Sequence, residues 1–137
     1  MSGKAFLDTN ILVYAADRSE PAKRKVAREL ISRLVQEGTP CISTQVAQEF
    51  FVTITRKMGV APLAARDLVL ALKGFEQVVV DFEDIQAAMD GHILWQISFG
   101  DALILTTAKK AQCSILYTED LNDGQTFGGV RVVNPFR

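Results

Sequence analysis

The sequence has few of the residues that nucleophilic and redox catalysis use. Its 137 residues contain one histidine, His92, and two cysteines, Cys41 and Cys113, which stand far apart and form no Cys-x-x-Cys pattern. The cysteines are therefore expected to be reduced and buried, as in a cytoplasmic protein. His92 falls within a helix-like segment, where a structural or solvated role is expected rather than a catalytic one.

Several longer signals are absent as well. No Gly-x-x-x-x-Gly-Lys-Ser/Thr loop occurs, so the use of nucleoside triphosphates is not expected. The chain shows no charged opening followed by an apolar run, and no apolar run reaches about 18 residues, so neither a secretory signal nor a membrane span is expected. The formal net charge of -1 gives no overall basic field that would indicate nucleic acid, although a local patch would be enough for binding.

The sequence does contain a regular alternation of short strand-like and longer helix-like segments. Hydrophobic residues make up 48% and charged residues 23%, as in an ordinary globular domain, and no repeat, low-complexity tract or linker interrupts the chain. Strands are predicted at 5–8, 40–43, 77–80, 114–117 and 130–133, and helices at 9–16, 21–37, 44–58, 62–74, 83–97 and 101–111. This order predicts one domain over residues 1–137, an α/β three-layer sandwich with a central, mainly parallel sheet of about five strands.

Four carboxylates stand near the predicted ends of strands and starts of helices. Asp8 ends the first strand, and Asp120 lies just past the fourth. Asp101 opens a nearly apolar helix, and Glu49 lies just over one turn into the helix that follows the second strand. Ligands of parallel sheets bind at the carboxyl ends of the strands, so we expect the four acids to converge there. Four anions in one cleft repel unless protons or a hard cation lie between them, and such oxygen-rich sites suit Mg²⁺ or Mn²⁺.

Each acid also has a structural explanation when it is taken alone. Asp8 could be a helix N-cap, and Asp101 could be an acid that the helix dipole favours. Glu49 could be a solvated helix residue, and Asp120 could belong to a turn. Their conjunction favours a metal site, because the segments "FLDTN" and "GDALIL" bring acids to the edges of segments that should be buried.

Four longer segments carry a resemblance to a known family. They are "FLDTNILVYA", "ISTQVAQEF", "ISFGDALILTTAKKAQCSILYTEDL" and "GVRVVNPF", and they are spread in this order from residue 6 to residue 136. Together they resemble the PIN domain, the nuclease fold of the VapC toxins of bacterial and archaeal toxin–antitoxin modules. The resemblance implies that Asp8, Glu49, Asp101 and Asp120 are the catalytic and metal-binding acids.

The resemblance extends to the neighbours of these acids. Asn10 and Thr118 match polar positions that support the acids in the family. Glu119 stands beside Asp120, which leaves open which of the two reaches the metal. Gly100 departs from the family, in which a larger residue often precedes the aspartate. This departure is expected to affect the substrate groove rather than the metal ligands.

The same resemblance implies an activity and a set of partners. The activity is that of a Mg²⁺- or Mn²⁺-dependent endoribonuclease whose products carry a 5′-phosphate and a 3′-hydroxyl. The implied partners are an RNA substrate, a cognate antitoxin protein and a second copy of the chain in a homodimer. Apolar residues near Glu49, among them Phe50 and Phe51, could form part of a dimer contact or of a groove for an antitoxin segment.

Basic residues outside the acidic pocket are the candidates for holding RNA phosphates. They form one cluster at the start of the second predicted helix and another at the end of the third: Lys23, Arg24, Arg28, Arg56 and Lys57. A solvated helix face explains the first cluster equally well. A favourable helix C-terminus explains the second.

Three other functions share some of these features. A PIN fold kept as an inactive RNA-binding or scaffold module would be expected to have lost an acid, yet all four are present. A phosphoaspartyl phosphatase fits an aspartate after a strand, but "DTN" lacks the second aspartate that such enzymes use two positions further on. A structure-specific DNA nuclease shares the acidic site but usually carries large insertions, for which 137 residues leave no room.

Overall fold

The computed structural model describes residues 3–137, so residues 1 and 2 of the predicted domain lie outside the described residues. The helices are α1 (Thr9–Ala16), α2 (Pro21–Glu37), α3 (Thr44–Arg56), α4 (Pro62–Leu70), α5 (Phe82–Trp95) and α6 (Phe99–Lys110), with a 3-10 turn at Ala71–Gly74. The strands are β1 (Lys4–Leu7), β2 (Thr39–Ser43), β3 (Glu76–Val78), β4 (Ile115–Tyr117), β5 (Thr126–Phe127) and β6 (Val130–Val133).

The strands form one sheet in the order β3-β2-β1-β4-β6-β5. β1 pairs in parallel with β2 and β4, and the same orientation continues to β3 on one side and β6 on the other. Only β5, at one edge of this sheet, is antiparallel to its neighbour. Because β1 is central, its Phe6 and Leu7 are fully buried, as is Leu116 on β4. The predicted α/β fold with a mainly parallel sheet is confirmed.

Most of the predicted elements end within two residues of the observed bounds, and three differences bear on the fold. The sheet has six strands rather than about five, because residues 126–127 add a strand too short to leave an alternating pattern in the sequence. The helix predicted at 62–74 is α4 followed by a separate 3-10 turn. Helix α6 begins at Phe99 rather than at Asp101, because the Ser98 hydroxyl accepts a hydrogen bond from the Asp101 backbone N–H and caps the helix.

The carboxyl edge of the sheet is where the candidate residues collect. Helix α1 follows β1 after the single residue Asp8, and α3 follows β2 directly. β2 and β3 lie on one side of β1, whereas β4 and β6 lie on the other, so the strand order reverses at this point. Ligands of open α/β sheets bind outside the carboxyl ends of the strands at such a switch point. Within residues 3–137, no helix combines the length and the apolar character that crossing a membrane requires.

Candidate metal centre

Three of the four predicted acids meet at this edge. Asp8 comes from the end of β1, Asp120 from the loop after β4, and Asp101 from the first turn of α6. One carboxylate oxygen of each lies within 4.8 Å of the corresponding oxygens of the other two. Asp8 is buried, Asp101 is half-buried and Asp120 is exposed, so the group forms the floor and the rim of an open site.

Asp8 is both a helix cap and a member of the cluster. Its Oδ1 accepts a hydrogen bond of 2.7 Å from the Thr9 backbone N–H, which caps α1. Its Oδ2 accepts a hydrogen bond of 2.8 Å from the Thr118 hydroxyl. Its own backbone N–H donates to the Tyr117 carbonyl at 3.1 Å, which continues the pairing of β1 with β4. The two explanations offered by the sequence therefore apply to the same side chain.

Thr118 connects the acids to one another. Because its hydroxyl hydrogen is donated to Asp8, its oxygen is left to accept, and it does so from the Asn10 side-chain amide and from the Asp120 backbone N–H, both at 3.1 Å. The Asn10 amide also donates to Asp120 Oδ2 at 3.1 Å. Both residues that were predicted to support the acids thus lie in hydrogen-bond contact with them, and Thr118 is fully buried.

The cluster favours protonated carboxylates. Burial is the largest cause that raises the pKa of Asp8 from 3.8 to about 7, and the charges of Asp120 and Asp101 add to it. The two hydrogen bonds that Asp8 accepts lower its pKa but do not cancel the effect of burial. The pKa of Asp101 is raised as well, first by burial and then by the charges of Asp120 and Glu49. A bound cation would reverse this balance, because it favours the charged form of each acid.

The donor set fits a hard divalent cation. Mg²⁺ and Mn²⁺ prefer carboxylate and carbonyl oxygens, which the three acids supply. The side-chain oxygen of Asn10 is buried and has no hydrogen-bond partner within the described chain. None of the ion pairs formed among residues 3–137 involves the three clustered carboxylates, so no lysine or arginine there neutralises them. Asp8, Asp101 and Asp120 are the residues that could hold such an ion.

Glu49 stands apart from the three clustered acids but lines the same cleft. Its Oε1 accepts a hydrogen bond of 2.7 Å from the Thr9 hydroxyl, and its Oε2 accepts one of 3.3 Å from the Gln45 amide. Gln45 also donates to the Gly100 carbonyl at 3.3 Å, which links α3 to the first turn of α6. The exposed carboxylate of Glu49 is therefore held in a defined position at the wall of the cleft.

Glu119 and Asp120 differ in their contacts. Glu119 accepts a hydrogen bond of 2.6 Å from the Tyr14 hydroxyl and forms an ion pair of 3.0 Å with Lys23. Asp120 is the residue whose carboxylate belongs to the acidic cluster. Glu119 is instead neutralised by Lys23, whose ammonium also lies 4.6 Å from the centre of the Tyr14 ring.

The cleft above the acids has a volume of about 1000 Å³. It runs between α1 and α3 and is closed on one side by the start of α6. Two of its basic lining residues are Arg18, in the turn after α1, and Lys57, at the end of α3. The predicted site residues do not include Arg18, Thr9 or Gln45. The i, i+4 spacing of Gln45 and Glu49 was a usable signal, whereas nothing in the sequence marks Arg18.

The other predicted RNA-binding residues lie elsewhere. Lys23 is paired with Glu119, and the Arg28 side chain donates to the Ala15 carbonyl at 2.7 Å. Neither they nor Arg24 and Arg56 line the cleft, so Lys57 alone of the five predicted residues does.

Gly100 leaves space next to Gln45. A Cβ atom built at this position would lie 3.9 Å from the Gln45 amide nitrogen, which is ordinary van der Waals contact. Because a side chain fits there, the absence of one at Gly100 widens the cleft without straining the helix.

Comparison with known proteins agrees with this geometry. A family model described as the PIN domain matches residues 5–122. The fold is similar to a toxin–antitoxin complex from Klebsiella pneumoniae, at 22% identity and a TM-score of 0.70, covering 96% of this chain and 97% of that chain. It is also similar to VapBC2 from Rickettsia felis bound to a DNA fragment from its promoter, at 16% identity, a TM-score of 0.70 and coverage of 94% and 96%. A third similar structure is VapC20 of Mycobacterium tuberculosis, a toxin that cleaves the sarcin-ricin loop, at 17% identity, a TM-score of 0.68 and coverage of 82% and 86%. Comparison with curated protein sequences gave no significant match.

Proposed function

The chain belongs to the PIN-domain family, and from this premise we propose that it is a Mg²⁺- or Mn²⁺-dependent endoribonuclease formed by a single nuclease domain over residues 1–137. The observation that carries the proposal is the approach of Asp8, Asp101 and Asp120 within one cleft. Folding three acids together is unfavourable unless a cation uses them. Phosphodiester hydrolysis is the chemistry for which such a site is suited.

The proposed mechanism assigns a separate task to each part of the site. Asp8, Asp101 and Asp120 would hold the divalent ion, which when bound would supply charge neutralisation at the phosphate and a more acidic water. Asn10 and Thr118 fix the direction in which Asp8 and Asp120 point, through hydrogen bonds of 2.8 to 3.1 Å.

Glu49 completes the proposed mechanism from helix α3, beside Thr9. We assign it the role of accepting a hydrogen bond, and then the proton, from the water that attacks phosphorus. Its two carboxylate oxygens are oriented by Thr9 and Gln45, so little reorganisation is needed when the water binds. Water attacks phosphorus, the bond between phosphorus and the 3′ oxygen breaks, and the leaving 3′ oxygen takes up a proton from solvent, which gives a 5′-phosphate and a 3′-hydroxyl.

The decisive experiment is cleavage of RNA by the purified protein. We expect cleavage with Mg²⁺ or Mn²⁺ and none in EDTA, because three carboxylates do not by themselves neutralise a phosphodiester. Full activity in EDTA would contradict the metal mechanism. Cleavage of DNA in preference to RNA would favour a structure-specific DNA nuclease, and binding of RNA without cleavage would favour an inactive RNA-binding or scaffold module.

We further propose that the protein is the toxin of a toxin–antitoxin pair in the cytoplasm. The supporting observations are the similar folds of solved toxin–antitoxin complexes and an apolar groove between α3 and α4 that includes Phe51, Val52 and Leu70. Such a groove suits a helical segment of an antitoxin. Expression without the antitoxin is expected to slow cell growth, and Asp101→Asn is expected to relieve the effect. An equally toxic variant that folds and accumulates normally would argue against cleavage as the cause.

A homodimer is proposed from a second apolar surface, on the exposed side of α5. Phe82 is 78% exposed, Ile93 is 73% exposed and Leu94 is 74% exposed, which is unusual for large apolar side chains on one helix. Burying them against a second copy would remove this surface from water. Sedimentation analysis should give a dimer, and Ile93→Lys should shift it to a monomer.

A further inference from the structure

The catalytic cleft is not uniform along its length. Its floor, at the start of α1, carries the acids. Its far end is lined by the turn after α1 and by the last turn of α3, where the charged side chains include Arg18 and Lys57. The acids and the two cations therefore face the same space from opposite ends.

Arg18 and Lys57 differ from several other cations of the chain in having no carboxylate partner. Lys4 pairs with Glu76, and Lys23 pairs with Glu119. No ion pair or side-chain hydrogen bond within residues 3–137 involves the charged groups of Arg18 or Lys57, and both residues are exposed. Their charges are thus available to a ligand that enters the cleft.

The backbone holds both residues in place although their side chains are unpaired. The carboxylate of Asp17 accepts hydrogen bonds from the Ser19 backbone N–H at 2.9 Å and from the Ser19 hydroxyl at 2.6 Å. This turn fixes Arg18 at its apex and satisfies the acid that stands next to it. Lys57 continues α3, because its backbone N–H donates to the Thr53 carbonyl at 2.9 Å.

Helix geometry gives the separation between the two ends of the cleft. Lys57 stands eight residues beyond Glu49 on α3, which at about 1.5 Å per residue is roughly 12 Å along the axis. Helix α1 has 8 residues between the acids and the turn of Arg18, which is again roughly 12 Å. A stacked strand advances about 3.4 Å per nucleotide, so this separation spans at most about four nucleotides.

We propose that Arg18 and Lys57 form a phosphate subsite that holds the RNA strand within about four nucleotides of the scissile bond. This proposal rests on the proposed nuclease function and describes how the RNA substrate is bound. The acids at the floor repel a polyanion until a cation is present, so a strand needs attractive charge elsewhere in the cleft. Arg18 and Lys57 supply that charge on both walls, and because neither is held by a carboxylate, no ion pair has to be broken when phosphates bind.

The first test measures binding without cleavage. A labelled single-stranded oligoribonucleotide of about twelve nucleotides is titrated in EDTA with the wild type and with Arg18→Gln/Lys57→Gln, at several salt concentrations. Each lost phosphate contact lowers the slope of log K against log salt by about 0.7 for single strands, so the double variant should lose about 1.4. Its affinity at low salt should fall roughly tenfold or more, because two charge-assisted contacts are lost.

The second test uses the length of the cleft. With Mn²⁺, kcat/KM of the double variant for the long oligonucleotide should be roughly tenfold lower than that of the wild type. It should leave kcat/KM for a dinucleotide unchanged, because a dinucleotide that spans the acids does not reach Arg18 or Lys57. Equal losses on both substrates would mean that the two residues act at the acids and would overturn the subsite.

The matched control is Lys73→Gln/Arg131→Gln, which removes the same charge from exposed positions outside the cleft. It should match the wild type in salt slope and in kcat/KM. If the control weakens binding as much as Arg18→Gln/Lys57→Gln does, the loss of affinity comes from net charge alone, and the proposal is overturned. If the wild type cleaves RNA and the double variant does so equally well on every length, the subsite alone is wrong. If the wild type neither binds nor cleaves RNA, the proposed function fails and the subsite fails with it.

Discussion

The acidic groups at the two ends of α6 differ in whether a lysine balances their negative charge. At its C-terminal end, Lys110 donates to Asp84 at 2.8 Å and to Asp81 at 3.3 Å, where these acids cap the start of α5. At its N-terminal end, Asp101 meets Asp8 and Asp120 with no such lysine within residues 3–137. The first group is a neutralised cap, and the second is a set of acids with no lysine or arginine paired to it among these residues.

The pKa values of Asp81 and Asp8 are shifted in opposite directions, in agreement with this difference. The pKa of Asp81 lies below its ordinary value, first because the Asp84 backbone N–H donates to it and further because Lys110 is close. The pKa of Asp8 is raised by burial, although Asp8 also caps a helix. Capping alone therefore does not decide the protonation of an acid at a helix start. Burial and the charges of neighbouring acids outweigh it at the metal centre.

The largest expected difference between the two groups concerns cleavage. Asp101→Asn keeps the size of the side chain but removes one charge from the proposed ion site, so kcat/KM should fall by at least about 100-fold. Lys110→Met should leave kcat/KM of the folded protein within about twofold, because Lys110 contacts the other acidic group. Cleavage assays on both variants, with circular dichroism to check folding, measure this difference. Similar kcat/KM values for the two variants would contradict the assignment.

The next largest effect concerns binding of the ion itself. Mn²⁺ at about 100 times its Kd should stabilise the wild type by about 2.7 kcal/mol, which corresponds to roughly 5 to 10 °C in Tm for a chain of this size. Asp8→Asn should lose most of this shift, because it removes a buried ligand charge. Asp81→Asn should retain the shift in full. Melting curves with EDTA and with Mn²⁺ give these Tm shifts. A wild-type Tm that does not change with Mn²⁺ would mean that Asp8 is only a helix cap.

A third effect is the pH dependence of the metal-free protein. The pKa of Asp8 is about 7 in the folded state and 3.8 when unperturbed, so the folded state binds the proton more tightly. Ionisation of Asp8 therefore lowers the free energy of unfolding as pH rises from about 4 to 7, by up to a few kcal/mol. Asp8→Asn should remove this pH dependence. At pH 7 the variant should be as stable as the wild type, or more stable by on the order of 1 kcal/mol. Urea unfolding in EDTA at pH 5 and pH 8 measures the free energy of unfolding of both proteins. A variant that is less stable than the wild type at both pH values would contradict the prediction.

The smallest effect is expected at the neutralised group. Asp81→Asn keeps a capping oxygen and loses only an exposed ion pair with Lys110, so the midpoint of urea unfolding should stay close to that of the wild type. The pKa of Asp81 is lowered in the folded state, so its contribution is present at neutral pH and disappears as the solution is acidified below its ordinary pKa of 3.8. Urea unfolding of this variant at neutral pH provides the measurement, and a large fall in the midpoint would show that Asp81 and Lys110 stabilise the fold more than an exposed ion pair does.

Local features of the chain were predictable from the sequence, and pairings across long separations were not. The boundary between β1 and α1 follows from apolar residues that stop at Asp8, and the start of α2 follows from Pro21. The meeting of Asp8 and Asp120 at one edge follows from the strand–helix alternation, because they come after neighbouring parallel strands. In contrast, the hydrogen bond from Thr9 to Glu49 joins residues 40 positions apart, and no local pattern encodes it.

The basic residues show the same limit. Lys23 was a candidate for RNA because its neighbours in the sequence are basic, yet it pairs with Glu119, which is 96 positions away. Arg18 stands alone in a turn and became a candidate only when the fold placed it at the cleft. A cluster of charges in sequence therefore says little about which charges remain unpaired in the folded chain.

The hydrogen bond between Thr118 and Asp8 also has a consequence for the order in which the protein is made. It joins residues 110 positions apart, so a ribosome must synthesise nearly the whole chain before the acids can assemble. Translation proceeds at about 5 to 20 residues per second, so an emerging chain spends several seconds without a complete site. Under the proposed function, chains that end before Asp120 lack one acid of the cluster and are expected not to cleave RNA.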